Sequence, residues 1–444
     1  MSPTGRMGPE PSAAAGGRLR TVSTPPPAPP AVLVLSMHTS PLDDPGEGDA
    51  GGMNVYVRQL SRALAAAGAS VVVATRSVTG ALWRQEDEGV VVWGVPAGDP
   101  GAAKEDLPAL VPAFAEAVAS RLADEGVTPQ VVHSHYWLSG LVARRLVAAG
   151  GAAEDAVWAH TMHTMGATKN AEVAAEAGAP PEPPARIEGE RAVLRAVDLA
   201  VVSTRREAQQ VQAEGADPAV VRVIPPGVDA ATFHPVPDAE RTTLRVAARR
   251  DLGLGPDASL LVQAGRWQPA KGQLVLLEAV EHLHARGVAA HALFVGGPSG
   301  SGDAEELPRR IEASPVRHLL HAHGAVPPEQ LARLFHAADL VVVPSRTESF
   351  GLVAAEAMAC GVPVVAARVG GLPEAVGSAG VLVDGHDPAD WARTLAALLA
   401  DPAARGRLRE AGARRGEQLT WAAAASAHLD AYRETDPRSP DDRP

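Results

Sequence analysis

Two glutamates, Glu348 and Glu356, lie close together in the segment PSRTESFGLVAAEAMACGVPVV. Glu348 follows an apolar run that is typical of a strand, and Glu356 lies inside the helical pattern that comes next. A carboxylate pair near one end of an element could act as general acid and base. Ser349, Phe350 and Gly351 bring backbone amides to the start of that helix, where they would bind an anion. An acidic neighbour of the helix N-cap and a solvated helix residue remain the alternative interpretation.

Two cations share one loop in the second half of the chain. The stretch AGRWQPAKG follows a strand-like run and contains Arg266 and Lys271. Cations beside a strand end can neutralise charge that grows on a leaving diphosphate. Gly370 and Gly371 precede another helix start in ARVGGLPEAV. Unless these residues are ordinary surface charge, the second half presents an anion-binding surface with two carboxylates for hydroxyl groups.

A second polar set, in the first half, suits a phosphate monoester. Two cations and two hydroxyl donors could bind such a group together. The set comprises Lys104, Tyr136, Thr164 and Arg186. These residues are far apart in sequence, so only the fold could bring them together.

Five histidines lie at the ends of strand-like runs in the first half: His38, His133, His135, His160 and His163. A zinc site is conceivable, but no H-E-x-x-H motif or matching carboxylate spacing supports one. Most of the five are therefore predicted to be hydrogen-bonded structural residues.

A glycine-rich loop matches the letters of the dinucleotide-binding pattern G-x-G-x-x-G at Gly46, Gly48 and Gly51. The first glycine of that pattern should turn the chain directly after the strand. Here the strand-like run ends at Ser36, and a proline-containing segment separates it from Gly46. No G-K-[ST] motif is present either. A backbone anion site at Gly51 and Gly52 and a flexible surface loop remain open interpretations.

Short apolar runs alternate with helical patterns along the whole chain, which is typical of α/β proteins with doubly wound parallel sheets. We predict two Rossmann-like domains facing each other across a cleft, over residues 29–228 and 229–415. Ligands of such domains bind at the carboxyl ends of the strands. Residues 416–434 are predicted to form a helix that packs back on the first domain, and residues 1–28 and 435–444 to be disordered tails.

Composition excludes several classes of protein. The chain has 444 residues, 46% of them hydrophobic, and a formal net charge of −12. This charge argues against a nucleic-acid or anionic-membrane surface. No signal-peptide pattern or membrane-length apolar run is present, and the single Cys360 excludes an intrachain disulfide. We therefore expect a cytoplasmic enzyme without nucleic-acid or membrane partners.

The combination of Glu348 and Glu356 with GRWQPAKG and PPGVD resembles retaining glycosyltransferases of the GT-B fold, glycosyltransferase family 4. The first-domain segments SMHTSPLDDPGEGDAGGMNVYV, HSHYWLSG and HTMHTMGATKN narrow this resemblance to the D-inositol 3-phosphate glycosyltransferases of mycothiol biosynthesis. The resemblance runs from about Val32 to Ala431. It implies UDP-N-acetylglucosamine as donor, 1D-myo-inositol 3-phosphate as acceptor, retention of the α-configuration, no organic cofactor and a homodimer.

The resemblance also implies roles for individual residues. Catalytic positions fall on His163, which would contact the sugar's 6-hydroxyl, and on Arg266, Lys271 and Glu348. Donor contacts fall on Asp44, Pro45, Gly52, Arg266, Lys271, Val326, Glu348 and Glu356. Acceptor contacts fall on His38, Asp49, Ala50, Gly51, Gly52, Met53, Asn54, Lys104, Tyr136, Thr164 and Arg186. A structural magnesium ion would be held mostly by backbone oxygens near Phe335, His336, Ala338 and Val362.

Four other functions compete with this interpretation. A relative of the sucrose-phosphate type would share the donor domain, and a lipid-mannosylating relative would need a basic or amphipathic membrane face, which the sequence lacks. An NADP-dependent oxidoreductase would need the early glycines to hold a pyrophosphate. A non-catalytic sugar-binding protein would not need Arg266, Lys271 and the paired glutamates together.

Overall fold

The computed structural model describes residues 29–43, 51–172, 181–298 and 306–438. These residues form two α/β units, each built around one twisted sheet. The prediction of two Rossmann-like α/β units is confirmed.

The first sheet has eight strands in the order β3-β4-β2-β1-β5-β6-β7-β8. Their bounds are β1 Ala31–Ser36, β2 Ser70–Arg76, β3 Trp83–Asp87, β4 Val90–Val95, β5 Val131–His135, β6 Val157–Thr161, β7 Leu199–Val202 and β8 Val221–Val223. All neighbouring strands are parallel except β3, which pairs antiparallel with β4. The strand β3 was not predicted, because its residues WRQED carry no apolar alternation and lie on the sheet edge.

The second sheet has six parallel strands in the order β11-β10-β9-β12-β13-β14. Their bounds are β9 Ser259–Ala264, β10 Ala290–Val295, β11 Leu320–His323, β12 Leu340–Val343, β13 Val364–Ala367 and β14 Val381–Val383. The strand order reverses between β9 and β12, as it does between β1 and β5 in the first sheet. Such reversals open a crevice at the carboxyl ends of the strands, where ligands bind.

Helices cover both faces of each sheet and bury the apolar strands. In the first unit they are α1 Gly52–Ala66, α2 Leu107–Glu125, α3 Tyr136–Ala148, α4 Gly166–Glu172, α5 Pro184–Ala196 and α6 Arg205–Ala213. The later helices are α7 Asp238–Asp251, α8 Gln273–Ala285, α9 Glu306–Ala313, α10 Pro328–Ala337, α11 Leu352–Ala359, α12 Leu372–Val376, α13 Pro388–Ala400, α14 Pro402–Gln418 and α15 Trp421–Glu434. Within the described segments, no helix has the length and apolar character needed to cross a membrane.

The last helix, α15, returns to the first unit and packs against α1. Its buried residues Trp421, Leu429 and Tyr432 share a core with Tyr56 of α1. The chain crosses at Gly227, where an added Cβ would lie 2.0 Å from the backbone nitrogen of Trp421. Only glycine fits this crossing, from which α15 packs along α1 and one face of the first sheet.

Candidate active site in the interdomain cleft

A cleft of about 1260 Å³ separates the two units, at the carboxyl ends of both sheets. Every predicted donor, acceptor and catalytic residue that the structure describes lines this cleft. They are His38, Gly51, Gly52, Met53, Asn54, Lys104, Tyr136, His163, Thr164, Arg186, Arg266, Lys271, Val326, Glu348 and Glu356. Asp44, Pro45, Asp49 and Ala50 lie outside the described residues.

Lys271 and Glu348 form an ion pair on the side of the cleft that belongs to the second unit. The Lys271 Nζ lies 2.5 Å from Glu348 Oε1, which also accepts a hydrogen bond of 2.9 Å from the Ser345 hydroxyl. The amide of Gln263 donates to the Lys271 carbonyl at 2.7 Å and anchors the loop to β9. One fixed positive charge thus stands beside one carboxylate, within reach of any ligand in the cleft.

Gly370 and Gly371 pack closely against the backbone of the loop that carries Glu348. An added Cβ on Gly370 would lie 1.9 Å from the Glu348 carbonyl oxygen, and one on Gly371 would lie 2.1 Å from that of Ser349. The Gly371 N–H donates to the Glu348 carbonyl at 2.8 Å. Gly370 also has a φ of +51°, which favours glycine. Both glycines therefore position Glu348 by close backbone packing.

The glycine loop of the first unit meets Arg266 of the second. A Cβ on Gly51 would lie 3.2 Å from Arg266 Nε, and one on Gly52 would lie 3.7 Å from Leu352. Gly51 has an extended backbone, and a side chain at this position would displace the Arg266 guanidinium by a few tenths of an ångström. Residues 37–51 separate β1 from α1, which is too long for the tight turn of a dinucleotide site.

Asn54 has a structural role at the start of α1. Its amide nitrogen donates to the Thr39 hydroxyl and to the Ser40 carbonyl, both at 2.6 Å, and its oxygen accepts from the Gly51 N–H at 3.0 Å. The side chain therefore ties the loop after β1 to the start of α1 and fixes the backbone at that point.

Arg186 forms ion pairs with two carboxylates, one on its own helix α5 and one in the segment just before that helix. Its Nε lies 2.7 Å from Glu190 Oε1, and its Nη1 lies 2.8 Å from Glu182 Oε2. The guanidinium stands 5.1 Å from the ring centroid of Tyr136 and donates to the Thr164 hydroxyl at 3.2 Å. Three of the four residues predicted for a phosphate monoester are thus brought together.

The fourth, Lys104, begins the turn before α2 and is exposed on the same side of the cleft. Its charge acts on His38, whose ring packs 4.3 Å from that of Tyr136. Burial, together with the positive charge of Lys104, lowers the pKa of His38 to about 3. His38 is therefore neutral, and the exposed cation here is Lys104. Lys169, which lies in the segment HTMHTMGATKN, pairs with Glu182.

The histidines of β5 and β6 form no metal centre. Among the described residues, no group of three or more His, Cys, Asp or Glu side chains could hold an ion. They are hydrogen-bonded instead: His133 to Thr161, His135 to His163 and His160 to Ser134. The prediction of structural histidines is confirmed for these rings, while His163 also lines the cleft.

Two contacts between the units were not predicted from the sequence. The Ser349 hydroxyl donates to the carbonyl of His163, which has a φ of +63°. The Glu374 carboxylate accepts the backbone N–H groups of Arg205 and Arg206, at 3.0 and 3.1 Å, at the start of α6. An acidic group stabilises a helix N-terminus, so Glu374 stabilises this contact between the two units.

Several further polar residues line the cleft. Asp229 belongs to the PPGVD segment, Glu207 lies in the first turn of α6, and Tyr56 and Trp421 come from α1 and α15. Of these residues only Asp229 has a sequence signal, because it belongs to the PPGVD motif that contributes to the family resemblance. Burial, together with the negative charge of Asp229, raises the pKa of Glu356 to about 7.

Two family models together match most of the chain. The model described as Glycosyl transferase 4-like domain matches residues 51–227, and the model described as Glycosyl transferases group 1 matches residues 245–415. Their matches cover the two units that face each other across the cleft.

Relatives of known name resemble the chain over nearly its whole length. A D-inositol 3-phosphate glycosyltransferase of Xylanimonas cellulosilytica is 47% identical over 93% of this chain and 98% of the relative. One of Streptomyces bingchenggensis is 44% identical over 91% of this chain and 89% of the relative.

Solved structures share the fold. Sucrose-phosphate synthase from Thermosynechococcus elongatus superposes with a TM-score of 0.78 at 32% identity, over 91% of this chain and 98% of that one. Anabaena Alr3699/HepE in complex with UDP and glucose superposes with a TM-score of 0.70 at 17% identity, over 91% of this chain and 100% of that one.

Proposed function

The chain belongs to the D-inositol 3-phosphate glycosyltransferases, and on that premise we propose that it transfers N-acetylglucosamine from UDP-N-acetylglucosamine to 1D-myo-inositol 3-phosphate. It is a glycosyltransferase of the GT-B fold. The products are 1D-myo-inositol 2-acetamido-2-deoxy-α-D-glucopyranoside 3-phosphate and UDP, in the first step of mycothiol biosynthesis. The observation that carries the proposal is the convergence of two polar sets, one suited to a diphosphate and one to a phosphate monoester, in a single cleft.

The donor occupies the second unit. Arg266 and Lys271 neutralise the diphosphate, Glu348 accepts hydrogen bonds from sugar hydroxyls, and Glu356 accepts them from the ribose. The backbone at Val326 holds the uracil. Each of these residues lines the cleft.

The acceptor occupies the first unit, with its phosphate near Lys104, Tyr136, Thr164 and Arg186. This remote phosphate supplies binding energy that places one inositol hydroxyl against the anomeric carbon. The loop at Gly51 and Gly52 is where the two substrates meet, because Gly51 packs on Arg266.

Transfer proceeds on one face of the sugar. The bond from the anomeric carbon to the β-phosphate oxygen breaks, the bond to the inositol oxygen forms, and the hydroxyl proton passes to the leaving phosphate. No protein nucleophile takes part, so catalysis rests on positioning and on neutralising the leaving UDP. Proton NMR of the product tests this directly: an α-linked product agrees with retention, and a β-linked product contradicts it.

Replacement of Lys104 by alanine is expected to raise the KM for inositol 3-phosphate about 10- to 100-fold, the cost of one charge-assisted hydrogen bond. The KM for UDP-N-acetylglucosamine should change little, because Lys104 lies on the acceptor side. Steady-state kinetics with each substrate varied in turn measure both constants. Arg84→Ala, at an exposed cation of the same unit, is the matched control. Equal losses for donor and acceptor would contradict the division of the cleft.

The KM for the donor is expected to depend on pH through Glu356. Ribose hydroxyls donate to a carboxylate, whereas the Glu356 pKa of about 7 leaves the carboxyl protonated below that pH. Donor affinity should therefore fall as the pH drops below 7, by about tenfold in all, because a neutral carboxyl is a weaker acceptor than a carboxylate. Glu356→Gln should flatten this profile between pH 6 and 8, while Glu410→Gln on α14 should preserve it. A wild-type donor KM that is constant over this range would count against the assignment.

We also propose that a structural magnesium ion rests on backbone carbonyls of Phe335, His336, Ala338 and Val362. The first three lie at the C-terminal end of α10, where carbonyl groups carry partial negative charge. The turn before β13 is held alongside by the hydrogen bond from Val341 N–H to the Pro363 carbonyl. Oxygen donors fit a hard cation, and none of these four residues lines the cleft. The ion would stabilise the helix end and take no part in transfer.

The resemblance further supports a cytoplasmic homodimer, and light scattering of the purified protein would test whether it is a dimer.

A second candidate is transfer to a hexose phosphate, as in sucrose-phosphate synthesis, because a synthase of that kind shares 32% identity and the fold. The two candidates differ in the acceptor and are separated by an acceptor comparison.

A further inference from the structure

A run of buried hydrogen bonds begins in α15 and enters the first unit. His428 Nδ1 lies 2.7 Å from the Ala424 carbonyl, and His428 Nε2 lies 3.3 Å from the Tyr56 hydroxyl. A carbonyl only accepts, so His428 Nδ1 carries the hydrogen. Burial lowers the pKa of His428 to about 4, which keeps the ring neutral. Its Nε2 therefore accepts, and the Tyr56 hydroxyl donates.

The run continues from Tyr56 and returns to α15. Thr161 hydrogen-bonds to Tyr56, whose own hydrogen is already used, so the Thr161 hydroxyl donates. Thr161 Oγ1 then accepts from His133 Nε2 at 2.9 Å. The opposite nitrogen, His133 Nδ1, is left to accept from the Tyr432 hydroxyl at 2.7 Å. Every donor and acceptor from Tyr432 to Ala424 is thereby fixed in direction, and α15 supplies both ends.

His135 packs directly on this hydrogen-bonded run. Its ring lies 4.2 Å from that of His133, and its Nδ1 lies 2.9 Å from His163 Nε2. His135 Nε2 is buried and has no hydrogen-bond partner among the residues that the structure describes. A hydrogen on that nitrogen would be an unsatisfied buried donor, which is rarer and more costly than an unsatisfied acceptor. The hydrogen is therefore on Nδ1 and is donated to His163.

This arrangement determines what His163 offers to the cleft. Burial lowers the pKa of His163 to about 3, so the ring is neutral and carries one hydrogen. Because Nε2 accepts from His135, that hydrogen lies on Nδ1. The ring is also fixed by the edge-to-face contact with Tyr56, at 5.0 Å, and its backbone by the hydrogen bond from Ser349.

We propose that His135 is a positioning residue that fixes the tautomer of His163, so that His163 presents an Nδ1–H donor to a sugar oxygen in the cleft, and that α15 holds this arrangement through Tyr432 and His428. The identity of that oxygen as part of the donor sugar rests on the proposed function. The tautomer itself rests only on contacts within the protein. The C-terminal helix thus contributes to the transfer site, in addition to packing against α1 of the first unit.

Two substitutions of His135 separate positioning from simple packing. Asparagine places its amide nitrogen where the imidazole has Nδ1, and glutamine places it where the imidazole has Nε2. His135→Asn should therefore keep kcat within about threefold of the wild type, and His135→Gln should lower kcat about 10- to 100-fold with a smaller change in donor KM. Equal losses in the two variants would overturn the proposal, as would full activity in both.

Two substitutions on α15, one at a residue that contacts His133 and one at an exposed residue, test the role of this helix. Tyr432→Phe removes only the hydroxyl that donates to His133, and it should lower kcat about 3- to 10-fold without raising the KM for inositol 3-phosphate. Arg433→Gln, on the exposed side of α15, is the control and should behave like the wild type. An unchanged kcat for Tyr432→Phe would contradict the contribution of α15.

The wild-type protein without substrates provides the direct test. Long-range proton–nitrogen NMR spectra of protein with ¹⁵N-labelled histidines distinguish the two neutral tautomers, and comparison with His163→Gln assigns the signals. The expected result is that His163 is protonated on Nδ1, and protonation on Nε2 would overturn the proposal. This measurement needs no donor or acceptor, so its outcome is independent of whether the proposed substrates are correct.

Discussion

Replacement of Lys271 by alanine is expected to lower kcat by about 10²–10³, the largest kinetic effect of any single substitution in the cleft. The ammonium neutralises negative charge that grows on the leaving diphosphate, and that charge is greatest in the transition state. The loss is increased by Glu348, whose Oε1 lies 2.5 Å from Lys271 Nζ and would be left without its cation. Single-turnover kinetics at saturating donor and acceptor measure the effect on the chemical step.

Two variants make this result specific. Lys271→Arg keeps the charge in the same loop and should recover part of the rate, because a guanidinium is larger and has a different donor geometry. Arg317→Ala removes an exposed cation of the second unit that does not line the cleft, and it should leave kcat unchanged. A Lys271→Ala enzyme that retained more than a tenth of the wild-type kcat would show that the leaving group is neutralised elsewhere.

The protein is expected to lose stability steeply in mild acid. Four fully buried histidines have a lowered pKa, with burial as the first cause: His133 and His135 well below 6.5, His160 at about 3 and His428 at about 4. A group whose pKa is lower in the folded state stabilises the fold above its unfolded pKa. That contribution is lost as the pH falls, since only the unfolded chain takes up the proton.

Glu207 and Glu356 act in the opposite direction. Burial raises the pKa of each to about 7, so between pH 4.5 and 7 the folded state holds protons that the unfolded chain has released. Burial also lowers the pKa of His38 and His163 to about 3, so six histidines against two glutamates leave the unfolded chain with about four more protons near pH 5. The free energy of unfolding should therefore fall by roughly 5 kcal/mol per pH unit between pH 6 and 4.5.

Urea denaturation at a series of pH values measures this slope. His160→Asn, which keeps a polar atom near Ser134 where His160 Nδ1 is bonded at 2.8 Å, should reduce the slope by about one proton. His323→Gln, at an exposed position on β11, is the control and should match the wild type. A stability that is constant from pH 7 to 4.5 would mean that these histidines are charged in the folded state.

Local patterns in the sequence were sufficient to predict the two sheets. Buried parallel strands are apolar along their length, so β1, β5, β9 and β12 stand out between helical patterns. The strand β3 was missed, because an edge strand owes its place to pairing with β4 and not to its own composition.

The cleft residues were found through motifs, and their detailed roles were not. Arg266, Lys271 and Glu348 follow strand ends, so topology alone brings them together. Asn54 lines the cleft as the predicted acceptor residues do, but the use of its side chain to fix the loop is something that no pattern in one segment reveals. The reason for Gly51 is likewise non-local, since the space it leaves is taken by Arg266 of the other unit.

The contribution of α15 lay beyond sequence reasoning for the same physical reason. Tyr432 and His133 are nearly 300 positions apart and meet only because the chain crosses at Gly227. The sequence predicted a C-terminal helix that packs back on the first domain, but not which residues it contacts there. The tautomer of His163 depends on a series of contacts from three elements, each of which had to be placed first.

The substrate pair is the central claim, and a comparison of acceptors tests it most directly. UDP release from UDP-N-acetylglucosamine should be measured with 1D-myo-inositol 3-phosphate, with inositol, with fructose 6-phosphate and without acceptor. The account predicts rapid release only with inositol 3-phosphate, matched by an equal amount of glycosylated inositol phosphate. Release that is as fast with fructose 6-phosphate, or without any acceptor, would contradict it.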